Sequence, residues 1–264
     1  MTVRFHVLKW AHLSGAPPAS SNSGSRPADG AGAEFASTEW SIVLAAGGDT
    51  AARHGALERL CRTYWQPIYA FIRRSGHDRE AARDLTQEFF TRLLRGDFFA
   101  QADPTRGRFR GYLCQTCRLF LGNEWQKGTA AKRGGGASVV PWENLTEADE
   151  LHFAGGADPS TVYDRQWALA LLRSALTRLE QEYRQSGDSQ AYARLHGYLT
   201  TRPETGDYDR IAAELGVARG TVPVLVHRLG KRYQELIRAE VASTVVTQAE
   251  IDAELRHCLA ALGA

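Results

Sequence analysis

Between residues 105 and 133 the chain sets Arg106, Arg108, Arg110, Arg118, Lys127, Lys132 and Arg133 among Phe109, Tyr112, Phe120 and Trp125. Glu124 is the one acid there, next to Asn123 and Trp125. Basic groups meet phosphates, and aromatic faces stack on unpaired bases. The combination suits a single nucleic-acid strand better than an intact duplex. A core helix with solvated arginines would show the same composition.

A second stretch, residues 208–232, reads YDRIAAELGVARGTVPVLVHRLGKR. Ile211, Ala212 and Leu215 mark one short helix, Gly216 a reversal, and Val222 and Leu225 a second helix. A small residue at the crossing and a glycine at the turn are what a helix-turn-helix requires. Its second helix is the one that enters a DNA major groove. Arg219, Thr221, His227, Arg228, Lys231 and Arg232 are the groups placed to reach DNA; no acid falls between Gly216 and Arg232. An ordinary helical hairpin with a solvated basic face is the plainer alternative.

A third pattern is a polar face. Asp84, Gln87, Glu88 and Thr91 recur at helical spacing, on a different side from Ala82, Leu85, Phe89 and Leu93. Nothing points to catalysis. There is no phosphate loop, no paired metal motif, and no nucleophile beside a base. Cys114 and Cys117 are three residues apart, but no second pair completes a zinc set. No metal or cofactor is expected.

These features must be carried by cores. The chain has 264 residues, 43% of them hydrophobic, which supports one large domain or two small ones. Its net charge of +2 leaves nucleic-acid affinity to local clusters. No apolar run is long enough for a transmembrane helix. Scattered cysteines argue against a disulfide framework and for a reducing, cytoplasmic setting.

Residues 1–37 are rich in Ser, Gly, Ala and Pro and are expected to be disordered. Residues 38–128 are predicted to form a first helical domain. Helices are expected around Trp40, from Asp49 to Ser75 with Pro67 inside, from Asp78 to Gly96, and from Phe109 to Lys127. Residues 129–159 form an expected acidic, flexible linker. Asp158 and Pro159 then start a second domain, 160–241, ending in the helix-turn-helix. Thr247 and Glu250 make a capping box for a last amphipathic helix within 242–264, expected to pack on the second domain, with a role as a regulatory handle as the alternative. No strand is predicted. The fold class is all-α, in two helical domains.

The order of parts resembles bacterial RNA polymerase sigma factors of the sigma-70 family, of the small extracytoplasmic-function type, over about residues 39–240. DREAARDLTQEFFTRLL resembles sigma region 2.2, whose D-L-x-Q-E-x-F core matches Asp84, Leu85, Gln87, Glu88 and Phe90. The resemblance implies that these residues dock on the β′ clamp of core RNA polymerase. Residues 106–135 are similar to regions 2.3 and 2.4, which melt the −10 element. That implies promoter contacts for Arg106, Arg108, Phe109, Arg110, Tyr112, Arg118, Asn123, Trp125 and Lys127. The helix-turn-helix stands where region 4 binds the −35 element and meets the β flap.

The chain departs from the family at Pro223, in the first turn of the recognition helix, and in lacking an L-P-x-x-x-R signature before the hairpin. The stretches 1–37 and 242–264 are additions. The resemblance implies a promoter-specificity subunit with no active site of its own, monomeric when free, a possible target for an anti-sigma protein, and without membrane attachment. The alternative is a stand-alone helix-turn-helix regulator, which leaves the region at 78–127 unexplained.

Overall fold

The computed structural model describes residues 50–95, 108–130, 158–201, 203–245 and 247–263. The expectations for the tail, the helix at Trp40, Arg106 and the linker lie outside those residues. Every regular element among the described residues is helical.

Helix α1 (Thr50–Arg74) runs through Pro67 without interruption. It ends where Ser75 Oγ donates to the Phe71 carbonyl at 2.8 Å and Gly76 takes a φ of 98°. Asp78 then caps α2 (Arg79–Arg95), its Oδ1 accepting the Ala81 amide at 2.8 Å. That bond satisfies one of the first-turn amides that have no helical partner. Helix α3 spans Phe109–Ala130 and α4 spans Pro159–Gln185. Asp158 caps α4 by accepting the Ser160 amide at 2.9 Å, and Pro159 sits where its missing N–H costs nothing.

After Gly187, at φ 81°, come α5 (Ser189–Leu195) and a 3₁₀ turn (His196–Leu199). The hairpin consists of α6 (Thr205–Leu215), a 3₁₀ turn (Arg219–Thr221) and α7 (Val222–Thr244). Helix α8 (Gln248–Gly263) is last. At its start the Thr247 amide donates to Glu250 Oε2 at 2.9 Å, which is half of the expected capping box.

The helices group into two compact units. One comprises the described parts of Ser37–Arg178 and Glu235–Ala264; the other holds Leu179–Gln234. The split differs from the boundaries the sequence suggests. Tyr163, Trp167, Ala168 and Leu171 of α4 are buried in one cluster with Leu60, Tyr64, Phe71, Phe109 and Leu113. Val241, Ile251, Cys258 and Ala261 complete the same cluster. The last helix does meet Asp164, Trp167 and Arg238 of the expected second domain, but those residues share their core with the first unit. Its apolar stripe is real, but it enters the core of the first unit. A stripe fixes which face is buried and says nothing of the partner.

Candidate nucleic-acid and partner surfaces

The polar face on α2 survives in three dimensions. Asp84 is exposed, and Gln87, Glu88 and Leu85 are half-buried. Phe90 is different. It is buried, stacked on Trp65 with centroids 5.4 Å apart. A docking contact needs a reachable side chain, so Phe90 holds the helix in place instead of meeting a partner. Glu88 accepts from Arg92 Nε at 2.7 Å, and Arg92 Nη2 donates to Glu124 of α3 at 3.0 Å. Arg92 also lies over the Phe120 ring, 5.1 Å from its centroid. Thus one guanidinium fixes the rotamer of Glu88 and ties α2 to α3.

The basic and aromatic groups of α3 divide into two sets. Trp125 is 72% exposed and Asn123 is also open to solvent. Tyr112 is half-buried, and the side chain of Lys127 lies outside the described residues. Phe109 points the other way. It is fully buried and packs edge-on against Tyr64 at 5.6 Å. It cannot stack on a base while that core is intact.

The arginines at the start of α3 are also engaged. Arg110 pairs with Asp164 of α4 through its Nη1, and its Nε lies 3.6 Å from Glu254 of α8. Its guanidinium sits 5.0 Å above the Trp167 ring. Burial works against the Arg110 charge; Glu254, then Asp164, outweigh it, and its pKa is held above the ordinary value. Arg108 Nη1 lies 3.3 Å from the other Glu254 oxygen. Arg118 donates to Ser160 Oγ at 2.8 Å. The α4 side is pinned further, since the Tyr163 hydroxyl donates to the Arg110 carbonyl at 3.0 Å. Sequence reasoning took these arginines as free cations, because the acids that meet them stand far along the chain.

The second unit presents its bases differently. Gly216 ends α6 at a φ of 64°, where a residue with a Cβ is strained, and the Val217 amide closes the turn on the Ala212 carbonyl at 3.0 Å. Ile211, Ala212 and Val222 are buried as the hairpin pattern requires; Leu215 and Leu225 are half-buried, and Leu229 is buried beside them. Along α7, His227, Arg228 and Lys231 are exposed, and Thr221 is half-buried. Val224, 46% exposed, joins them at i, i+3, i+4 and i+7. An exposed valine on that stripe was missed by reading charge alone; its helical spacing from Arg228 was the available signal.

Arg232 is spoken for. It forms a two-pronged pair with Glu182 of α4, both contacts at 2.7 Å. Arg219 Nε lies 2.8 Å from Asp209, yet stays open to solvent. Tyr208, Arg219, Gly220 and Pro223 line a shallow cavity of about 400 Å³ beside the start of α7.

Burial raises the pKa of all four thiols. Burial pushes Cys61 up to about 11 and Cys258 up to about 12, and it raises Cys117 further. No cluster of metal-binding side chains occurs among the described residues, and no described helix is long and apolar enough to cross a membrane.

Comparison with known proteins finds a similarity to the ECF RNA polymerase sigma factor SigE of Mycolicibacterium smegmatis. The two are 26% identical over 221 residues, covering 80% of this chain and 76% of the relative. That stretch is too long to lie within either unit alone. No family model and no solved structure matches the chain.

Proposed function

We propose that this chain, a distant relative of the extracytoplasmic-function sigma factors of the sigma-70 family, is itself a sigma factor. In this reading it binds core RNA polymerase and directs it to promoters; the polymerase performs the chemistry. The observation that carries the reading is the sequence likeness to such a factor, long enough to reach into both units, beside a polar helix in one and a helix-turn-helix in the other.

In this assignment Asp84, Leu85, Gln87 and Glu88 dock on the β′ clamp, with Phe90 beneath them as support. Trp125, Asn123 and Tyr112 face the −10 element. Trp125 supplies an apolar face large enough to take a base out of the stack, which is how a melted strand is held against its duplex. At the −35 element the stripe Val224, His227, Arg228 and Lys231 enters the major groove. Arg228 is suited to a guanine edge and Lys231 to phosphate, while Val224 offers an apolar contact for a thymine methyl. Pro223 donates nothing there, and first-turn amides can spare it.

The test is a pull-down and a run-off transcription assay with core polymerase. The double variant Asp84→Ala, Glu88→Ala should bind polymerase at least tenfold more weakly while keeping its helical content, because Asp84 is exposed and Arg92 keeps its bond to Glu124 when Glu88 is lost. Undiminished polymerase binding would remove the docking assignment. Tight duplex binding with no polymerase binding by the native chain would favour a stand-alone regulator.

A further inference from the structure

We propose that α8 and the first turns of α4 form a built-in lid over the nucleic-acid surface at the start of α3. The occupant of that surface is the chain's own carboxylates, and a nucleic-acid backbone competes with them. The inference rests on the reading of α3 as a promoter contact, but it concerns a contact that no likeness to other proteins supplies.

Three arginines at the start of α3 that the sequence marks for phosphate meet groups of α4 or α8, Arg118 while still exposed. Arg108 meets Glu254, Arg110 meets Asp164 and Glu254, and Arg118 meets Ser160. A carboxylate presents to a guanidinium two oxygens in a plane, as a phosphate does, so the two ligands exclude one another at one arginine. Arg110 shows the exclusion most directly. Its side chain is 12% exposed, enclosed between Trp167, Asp164 and Glu254. No phosphate reaches it unless α8 moves.

The seam is also built to part. Glu254 is 1% exposed, yet its arginine contacts are at 3.3 and 3.6 Å, too long or too poorly aligned to count as good hydrogen bonds. Arg110 Nε, Glu254 Oε2 and Trp167 Nε1 are buried without a hydrogen-bond partner among the described residues. Glu254 thus holds the arginines by charge without close hydrogen bonds, and the close pair in the seam is Arg110 with Asp164. Opening returns Glu254 to water and hands the arginines to a polyanion, so neither partner is left stranded. The apolar hold of α8 consists of Ile251, Cys258 and Ala261, with Leu255 and Leu262 partly buried beside them. His257, whose Nε2 lies 2.9 Å from Asp164, adds a polar clasp.

The experiment uses the full chain and a fluorescent single-stranded DNA oligonucleotide of mixed sequence, with no polymerase present. Glu254→Gln and Asp164→Asn keep the size of each side chain and remove its charge. Each should bind the oligonucleotide about tenfold more tightly than the native chain at low salt. The salt dependence should steepen by about 1.4 when two more phosphates are neutralised. In the native chain, hydrogen exchange read with saturating oligonucleotide should quicken in residues 248–263 and slow in 109–118. This readout needs no variant, so a misfolded substitution does not decide the matter. Equal affinities and slopes, or exchange in 248–263 that stays constant with DNA bound, would overturn the lid. Binding of core polymerase is scored separately. A lid without polymerase binding sinks the sigma reading alone, and polymerase binding without a DNA-sensitive α8 sinks the lid alone.

Discussion

The arginines at the start of α3 and the stripe of His227, Arg228 and Lys231 on α7 look alike in sequence and differ in space, although Arg232 of α7 is paired with Glu182. Arg108, Arg110 and Arg118 are folded into contacts with α4 and α8. His227, Arg228 and Lys231 line an open stripe. The first set ties its helices together, whereas the second stays exposed on its own. The comparison teaches that a basic residue's role depends on what the rest of the chain brings to it. Net charge along a segment does not report that.

Substitution separates the two sets. Arg110→Ala leaves Glu254 and Asp164 short of a partner in a largely dry site, and losing one member of a buried pair costs about 3–5 kcal/mol. Urea unfolding should show that loss. Arg228→Ala should leave the unfolding midpoint in place and instead weaken binding to a −35 duplex by about 1–3 kcal/mol if the arginine reads a base edge. A swap of these outcomes would reverse the comparison.

A smaller effect belongs to the turn of the second unit. Gly216 adopts φ 64° with nothing within 4 Å of where a Cβ would stand. The strain of Gly216→Ala is therefore conformational alone, about 1–2 kcal/mol. It should lower the thermal midpoint and leave Arg108, Arg110 and Arg118 as they are.

The smallest effect is a pH response at the start of α6. Asp207 Oδ1 accepts from Arg210 at 2.8 Å and Oδ2 accepts the Glu204 amide at 3.0 Å. Arg210 first, then that amide, holds its carboxyl below the ordinary range. A depressed carboxyl contributes fully above its unfolded pKa, and the contribution is lost as pH falls through the folded one. Acid below the ordinary carboxylate range should thus fray α6 in the native chain, while mild acid leaves it in place. Asp207→Asn, which has no charge to lose, should flatten that acid limb in a circular dichroism titration.

Much of this architecture was legible in the chain itself. Asp78, Asp158 with Pro159, and Gly216 mark helix ends through local chemistry, and the structure puts ends there. The all-α class and the hairpin follow from periodicity of the same local kind. Phe109 and Phe90 were misjudged because spacing does not tell an aromatic ring on a surface from one in a core. Asp164 and Glu254 were invisible as partners of Arg110, since only tertiary folding brings them near. The same blindness hid the destination of α8.

The first unit is interrupted in sequence: Leu60 and Ala261 share a core, while residues 179–234 build a different unit between them. This has a kinetic meaning. Among the described residues the helix-turn-helix unit draws on one contiguous segment, so those contacts close short loops and should form early. The other unit must wait for chain made much later, and distant contacts pay loop-closure entropy before they are rewarded. During synthesis, Arg108 and Arg110 therefore spend an interval uncovered, before α8 emerges to meet them. A young chain and a finished one would then differ in their appetite for nucleic acid.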